Sequence, residues 1–283
     1  MFDATLPSET SPPDGAAFLA FADADGDTRL TDLYQKTPLR VLFPDRLAGD
    51  PPTAALVTTS GGLVGGDRLD VQCHVDKGAK AFVVNQAAEK VYRSAGADVS
   101  IDVRLGVEAG GWLEYLPQET ILFNGARLRR RTRIDHAAGG QFLAGEILVF
   151  GRRAHGEVLA HGMVHEIWEV RRDGVLAWTD VLHLDGDIAA VLKDPHAFRG
   201  AGAMATAVYS GSDLDDALET AREVLGACEA NAMMAATIVN DLLIVRWLAT
   251  DPFELRGAFG EFWAQFRHQI AGLPAQLPRL WHV

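Results

Sequence analysis

Of the nine histidines in this 283-residue sequence, His155, His161 and His165 lie closest together, and clustered imidazoles are the usual mark of a metal centre. HGMVH, residues 161–165, has the spacing of the zinc-hydrolase motif HExxH but lacks its glutamate. The surrounding pattern is that of a strand, on which positions four apart stand about 13 Å apart at roughly 3.3 Å per residue. Two imidazoles so placed cannot share an ion whose bonds to nitrogen are about 2 Å long. Val158, Val164, Trp168 and Val170 mark the buried side, which leaves His161 and His165 opposite, as solvated side chains. A metal-dependent hydrolase using His155, His161 or His165 with Glu157 or Glu166 is the catalytic alternative.

Two other stretches invite chemistry. In SGGLVGGDRL, residues 60–69, Gly61 and Gly66 have P-loop spacing, but Asp67 stands where the phosphate-binding lysine belongs. A carboxylate there repels a nucleotide, so the glycines read as a pair of turns or as a glycine-lined surface. ARLRRRTRI places Arg127, Arg129, Arg130, Arg131 and Arg133 together without aromatic residues between them. A solvated strand face beside acidic neighbours explains these arginines better than nucleic-acid binding, which uses stacking aromatics. No GxSxG elbow marks a nucleophile.

The elements that position these residues follow from period. Val99, Ile101, Val103, Leu105 and Val107 alternate with Ser100, Asp102, Arg104 and Gly106, predicting a half-buried strand. Leu69, Val71, Cys73 and Val75 repeat the pattern, and DKGAK then AFVV predicts an antiparallel neighbour. Apolar runs at 142–150, 157–170 and 174–184 add strands, so the architecture is mainly β. Near the C-terminus the period becomes helical. Leu214, Ala217, Leu218, Ala221, Val224 and Leu225 predict a helix over about 213–226, with Ser212 or Asp213 as its cap. A second helix starts at Asp251 and Pro252, carries Phe259, Phe262, Trp263, Phe266 and Ile270 on one face, and stops at Gly272. Residues 242–248, LLIVRWL, read as a buried strand between the helices.

Composition narrows the functions. The chain has 26 Lys and Arg against 38 Asp and Glu, a formal net charge of -12, which disfavours nucleic acid. No apolar run reaches the ~18 residues of a membrane span. Cys73 and Cys228 read as reduced small hydrophobes, and a cytoplasmic location is the expectation. Residues 1–15, rich in Pro, Ser, Thr and Asp, predict a flexible leader before a single domain over 16–283, whose fold begins near Phe18.

Six stretches in order resemble the urease accessory protein family UreD, also called UreH. They are GGLVGGDRL (61–69), NQAAEKVYRS (85–94), WLEYLPQETILFNGA (112–126), FLAGEILVFGRRAHGE (142–157), RRDG (171–174) and PRLWHV (278–283). The departures are Ala88 and Glu89 where Thr is usual near Lys90, Asn124 in place of Asp, and Ala144 and Gly145 where Gly and Trp usually precede Glu146. The resemblance implies a fold of many short strands in a β-helix-like coil with two C-terminal helices. It also implies a non-catalytic maturation factor that joins UreF and the GTPase UreG on apo-urease and passes nickel along an internal passage, with no tightly bound cofactor.

A passage must hold a hydrated ion weakly enough to release it, which favours oxygen groups over thiolates or a histidine chelate. Asp67, Gln86, Gln118, Glu119, Glu146 and Asp180 stand among the matching motifs as candidates. Buried carboxylates need compensation, and Lys90, Arg93, Arg152 and Arg172 are the expected basic neighbours. Structural hydrogen bonds and ion pairs are the competing explanation for each. Phe259, Trp263 and Trp281, on the last helix and tail, are the candidates for the UreF contact, because aromatic anchors dominate many interfaces.

Overall fold

The computed structural model describes residues 14–282. It opens with β1 (Gly15–Ala24), β2 (Asp27–Lys36) and β3 (Leu39–Leu42), followed by β4 (Thr53–Thr58) and β5 (Arg68–Val75). Then come β6 (Lys80–Asn85), β7 (Glu89–Val91), β8 (Val99–Val107), β9 (Trp112–Leu116), β10 (Thr120–Leu122) and β11 (Arg127–His136). The coil ends with β12 (Gln141–Phe150) and β13 (His161–Arg172), after which β14 (Val175–Asp187) leads into α1 (Ile188–Lys193). The C-terminal part is β15 (Ala203–Ser210), α2 (Leu214–Ala227), β16 (Ala232–Val239), β17 (Leu242–Ala249) and α3 (Pro252–Ala271).

Strands β4 to β13 wind as a coil. In-register parallel pairing joins β4, β6, β9 and β12 in one wall, and β5, β8, β11 and β13 in the facing wall. A short third wall forms where β10 pairs with β7 and β12, and where Leu63 bridges to Val91. The walls extend into a seven-stranded sheet, β14-β13-β11-β8-β5-β1-β2, and a ten-stranded one whose main path is β16-β17-β15-β12-β9-β6-β4-β3. This is the β-helix-like coil that the resemblance implied.

Each corner needs a backbone that turns and passes close to the next coil. At Gly62, with φ +143°, a Cβ would lie 2.6 Å from the Tyr92 ring and 2.9 Å from the Lys90 carbonyl oxygen, so the SGGLVGGDRL glycines serve as a coil corner. Two apolar cores follow from the layering. One fills the space between the sheets, with Val99, Val103, Leu105, Leu128, Ala144, Leu148 and Val164. The other lies between the ten-stranded sheet and α2 and α3, with Leu143, Ile147, Val245, Phe259, Phe262 and Trp263. Strand β12 is covered on both sides, which explains its nearly unbroken apolar run.

Several local expectations change. β5 and β6 are not antiparallel neighbours: β5 lies parallel between β1 and β8 in one sheet, and β6 belongs to the other. The DKGAK turn, with Gly78 at φ +74°, carries the chain from one wall to the next rather than closing a hairpin. The stretch before β13 is also not strand: Arg153–His155 forms a single 3-10 turn, and Val158 is exposed. A third helix, α1, has only six residues and is too short to show a helical period; Asp187 caps it. Strand β17 and helices α2 and α3 match the sequence reading, with Asp213 capping α2 and Asp251 capping α3. β1 starts at Gly15, before Phe18, and the leader expected over 1–15 lies almost wholly outside the described residues.

Candidate functional site

Polar side chains enter the inter-sheet core where the alternation of three strands places them inward. On β11, Arg130 is in phase with buried Leu128, Thr132 and Ile134; on β13, Glu166 is in phase with Val164, Trp168 and Val170. Parallel pairing sets Arg130 directly beside Glu166, and β12 brings Glu146 from the opposite wall. Arg130 Nε donates to Glu166 Oε2 at 2.8 Å, Nη2 to Glu146 Oε2 at 2.6 Å, and Nη1 to the Thr120 hydroxyl at 3.0 Å. Trp168 Nε1 donates to Glu146 Oε1 at 2.8 Å. Arg130, Glu146 and Glu166 are 8%, 6% and 2% exposed, so these charges face each other with little water.

The cluster holds two carboxylates for one guanidinium. Burial pushes the Glu166 carboxyl up to about 8; the pull of Arg130 does not cancel it, and the Glu146 carboxylate adds to it. Burial works against the Arg130 charge too, yet Glu166 and Glu146 outweigh it and hold the guanidinium above its ordinary range. Among the described residues Glu166 Oε1 has no hydrogen bond of acceptable geometry, although the Glu146 carboxyl is close beside it. Glu89 extends the polar line along the third wall: it pairs in register with Thr120, accepts from the Thr58 hydroxyl at 2.5 Å, and is raised by burial.

A separate cluster fastens α3. Arg267 donates through Nε and Nη2 to the Glu114 carboxylate, both at 2.8 Å, and its Nη1 lies 2.8 Å from Asp50. Trp263 Nε1 donates to Glu114 Oε2 at 2.8 Å. Glu114 and Arg267 are fully buried, and the group locks the helix against the sheet rather than opening on anything.

The sequence-derived candidates scatter around these clusters. Glu146 is central to the first. Gln118 and Glu119 directly precede Thr120 in the chain and hold Arg256: its Nη2 donates to Gln118 Oε1 at 2.6 Å and its Nε to Glu119 Oε2 at 3.0 Å. Asp67 accepts from the Val64 amide at 2.8 Å within the glycine corner, Gln86 is exposed, and Asp180 pairs with Arg246 at 2.6 Å where the two sheets meet at an edge. The expected basic neighbours are elsewhere. Lys90 is exposed on β7 and Arg93 is exposed just after it, Arg152 pairs with Glu157 and covers the Phe123 ring, and Arg172 pairs with Asp241. Arg130 and Arg256 do that work instead. Arg130 corrects the solvated-face reading of the arginine run, whereas Arg127 and Arg129 pair with Asp98 and Arg131 and Arg133 with Glu169 on the outer face as expected.

Phe259, Trp263 and Trp281 are interior, at 0%, 0% and 5% exposed, so they offer no surface in this chain and are corrected as contact residues. Their packing explains Gly145: a Cβ there would lie 2.7 Å from Phe259 Cζ and 3.0 Å from the Thr206 carbonyl oxygen and Trp263 Cζ3. The tail is held inward as well, with Gln118 Nε2 donating to the Leu280 carbonyl at 2.8 Å and Arg256 over the Trp281 ring at 4.7 Å.

The histidines do not assemble a centre. His161 is exposed, and His165 faces outward against His183 and Arg129, on the side of β13 opposite Glu166. Among the described residues no group of three or more His, Cys, Asp or Glu side chains could hold a metal ion. No helix among them is long and apolar enough to cross a membrane.

The family model described as UreD urease accessory protein matches residues 13–282. A urease accessory protein UreD of Magnetococcus marinus is 44% identical, covering 99% of this chain and 99% of that one. One from Xanthobacter autotrophicus is 43% identical over 90% of this chain and 85% of its own, and one from Rhodopseudomonas palustris is 37% identical over 98% and 99%. Spanning both walls of the coil, the third wall and the helices that close it, this match establishes that the chain belongs to the UreD family of urease accessory proteins.

Proposed function

We propose that this chain matures urease in the cytoplasm by binding apo-urease together with UreF and UreG and relaying nickel by way of the buried Arg130–Glu146–Glu166 cluster, with no catalytic step of its own. The observation that carries the reading is the Arg130–Glu146–Glu166 cluster. The buried Glu146 carboxylate attracts a divalent cation, and the Glu166 carboxyl beside it offers a hard oxygen ligand once it gives up its proton. Arg130 already lies between them, so an arriving ion competes with a guanidinium and is held weakly. Weak holding is what transit requires, since an ion bound too well does not leave. A passing cation also favours ionised Glu166, so the extra negative charge exists chiefly while the ion is present.

Family membership supports the urease role and the cluster supports the relay. Expression of the chain with UreF, UreG and the urease subunits, followed by affinity capture and urease assay, tests both. The expected result is a complex containing UreF and apo-urease and active urease in the lysate. Soluble, folded chain that captures neither partner would overturn the assignment. A scaffold without a metal role is favoured by the ion-paired state of Glu119, Glu146 and Asp180, and it predicts that removing the Glu146 charge leaves urease fully active.

A further inference from the structure

Among the described residues the main paths of the two sheets have four outer edges. Three carry charge within the strand: Arg29 and Asp32 on β2, Arg40 on β3, and Asp180 and Asp185 on β14. Such charges keep an edge from pairing with other chains. The fourth, β16, reads AMMAATIV and has none. Among the described residues it pairs only with β17, alternates residue by residue between part-buried and exposed, and shows Met233 at 43% and Val239 at 38% exposure. An uncharged, unpaired edge of this kind is a template for an added strand.

What flanks β16 specifies the occupant. Helix α2 packs on its inner face and turns Asp215, Asp216, Glu219 and Glu223 to solvent against Arg222 alone. A pocket of about 640 Å³ lies between the turn joining β11 to β12, the start of α2 and the end of β16, lined by Asp213, Asp215, Ile238 and Asp241 and by Arg172, which pairs with Asp241. His136, 4% exposed, also lines it. Neither ring nitrogen of His136 has a hydrogen-bond partner of acceptable geometry, although the Ala137 and Gly140 backbone is close. The three aspartates outnumber Arg172, so the rim is net acidic and suits a basic side chain. A second copy of this chain would bring the same acidic helix against itself.

We propose that β16, the acidic α2 and the His136 pocket form one docking surface for an extended, basic segment of a partner protein. The segment adds a strand to β16 and sets a lysine or arginine into the pocket. This surface is distinct from the inter-sheet cluster, and the proposal does not depend on nickel relay.

Hydrogen exchange and fluorescence anisotropy on the full chain test it, with a capped peptide of alternating lysine and valine as probe and its glutamate–valine counterpart as control. The basic peptide is expected to bind saturably at one site and to slow exchange of the β16 amides. Ala235→Lys with Thr237→Lys, both at exposed positions, places charge on the edge and is expected to weaken binding about tenfold or more. Asp215→Asn with Glu219→Gln is expected to weaken it at low salt. Equal binding of the acidic peptide, no saturable binding, or binding insensitive to the edge variant would overturn the proposal. So would β16 protection that rises with concentration of the chain alone, since the occupant would then be a second copy. A thermal melt within the wild-type range confirms that each variant is folded.

Discussion

Replacing Glu166 by glutamine tests the electrostatics of the buried cluster. In the folded chain the Glu166 carboxyl is pushed up to about 8 from its ordinary 4.5, so between those values the native state keeps a proton that the unfolded state releases. Native stability from this group is therefore greatest at the acid end and falls as pH rises through the window, by about 1.4 kcal/mol per pH unit. An amide cannot ionise, and it still offers Arg130 Nε an oxygen to replace the 2.8 Å contact. Wild type and Glu166→Gln should thus differ little near pH 5, and the variant should become the more stable by ~4 kcal/mol near pH 8. Urea unfolding followed by tryptophan fluorescence across that range reads the difference directly. Parallel stability curves for the two proteins would show that Glu166 is ionised throughout, and the assignment of a buried neutral carboxyl would be refuted.

Other consequences concern packing. Gly145→Ala forces a methyl against Phe259 and the Thr206 carbonyl, and should cost about 1–3 kcal/mol in urea unfolding. Arg267→Met leaves Glu114 and Asp50 buried without their partner, and a loss of about 3–5 kcal/mol is expected in the same assay. Trp281→Ala removes a ring stacked on Phe259 and covered by Arg256. It should lower stability by about 3 kcal/mol or more and expose the tail to limited proteolysis, where wild type resists.

How far the sequence reveals this molecule depends on the range of each interaction. Alternation in Val99–Val107 and the stripe of α3 are local, and they gave those elements directly. The coil is not local: whether β5 and β6 pair with each other or with strands a full turn away depends on Gly78 turning the chain between walls. Glu146 stood out through its motif, but Arg130 and Glu166 meet through register between β11 and β13. A signal was present, because both charges fall in phase with apolar neighbours in alternating strands. Inward phase, rather than the density of arginines, separates Arg130 from Arg129, Arg131 and Arg133. The aromatic face of α3 was legible as apolar, and its direction was settled by Gly145, whose missing side chain lets Phe259 and Trp263 approach the sheet.

In the proposed relay the Glu146 charge helps carry nickel to urease. Nickel content of urease purified from cells expressing UreF, UreG and either wild-type chain or Glu146→Gln tests it most directly, with recovery of the same complex as the control. Intact assembly with urease nickel reduced several-fold by the variant is the expected result. Full nickel loading in the presence of a folded, assembled Glu146→Gln chain would contradict it.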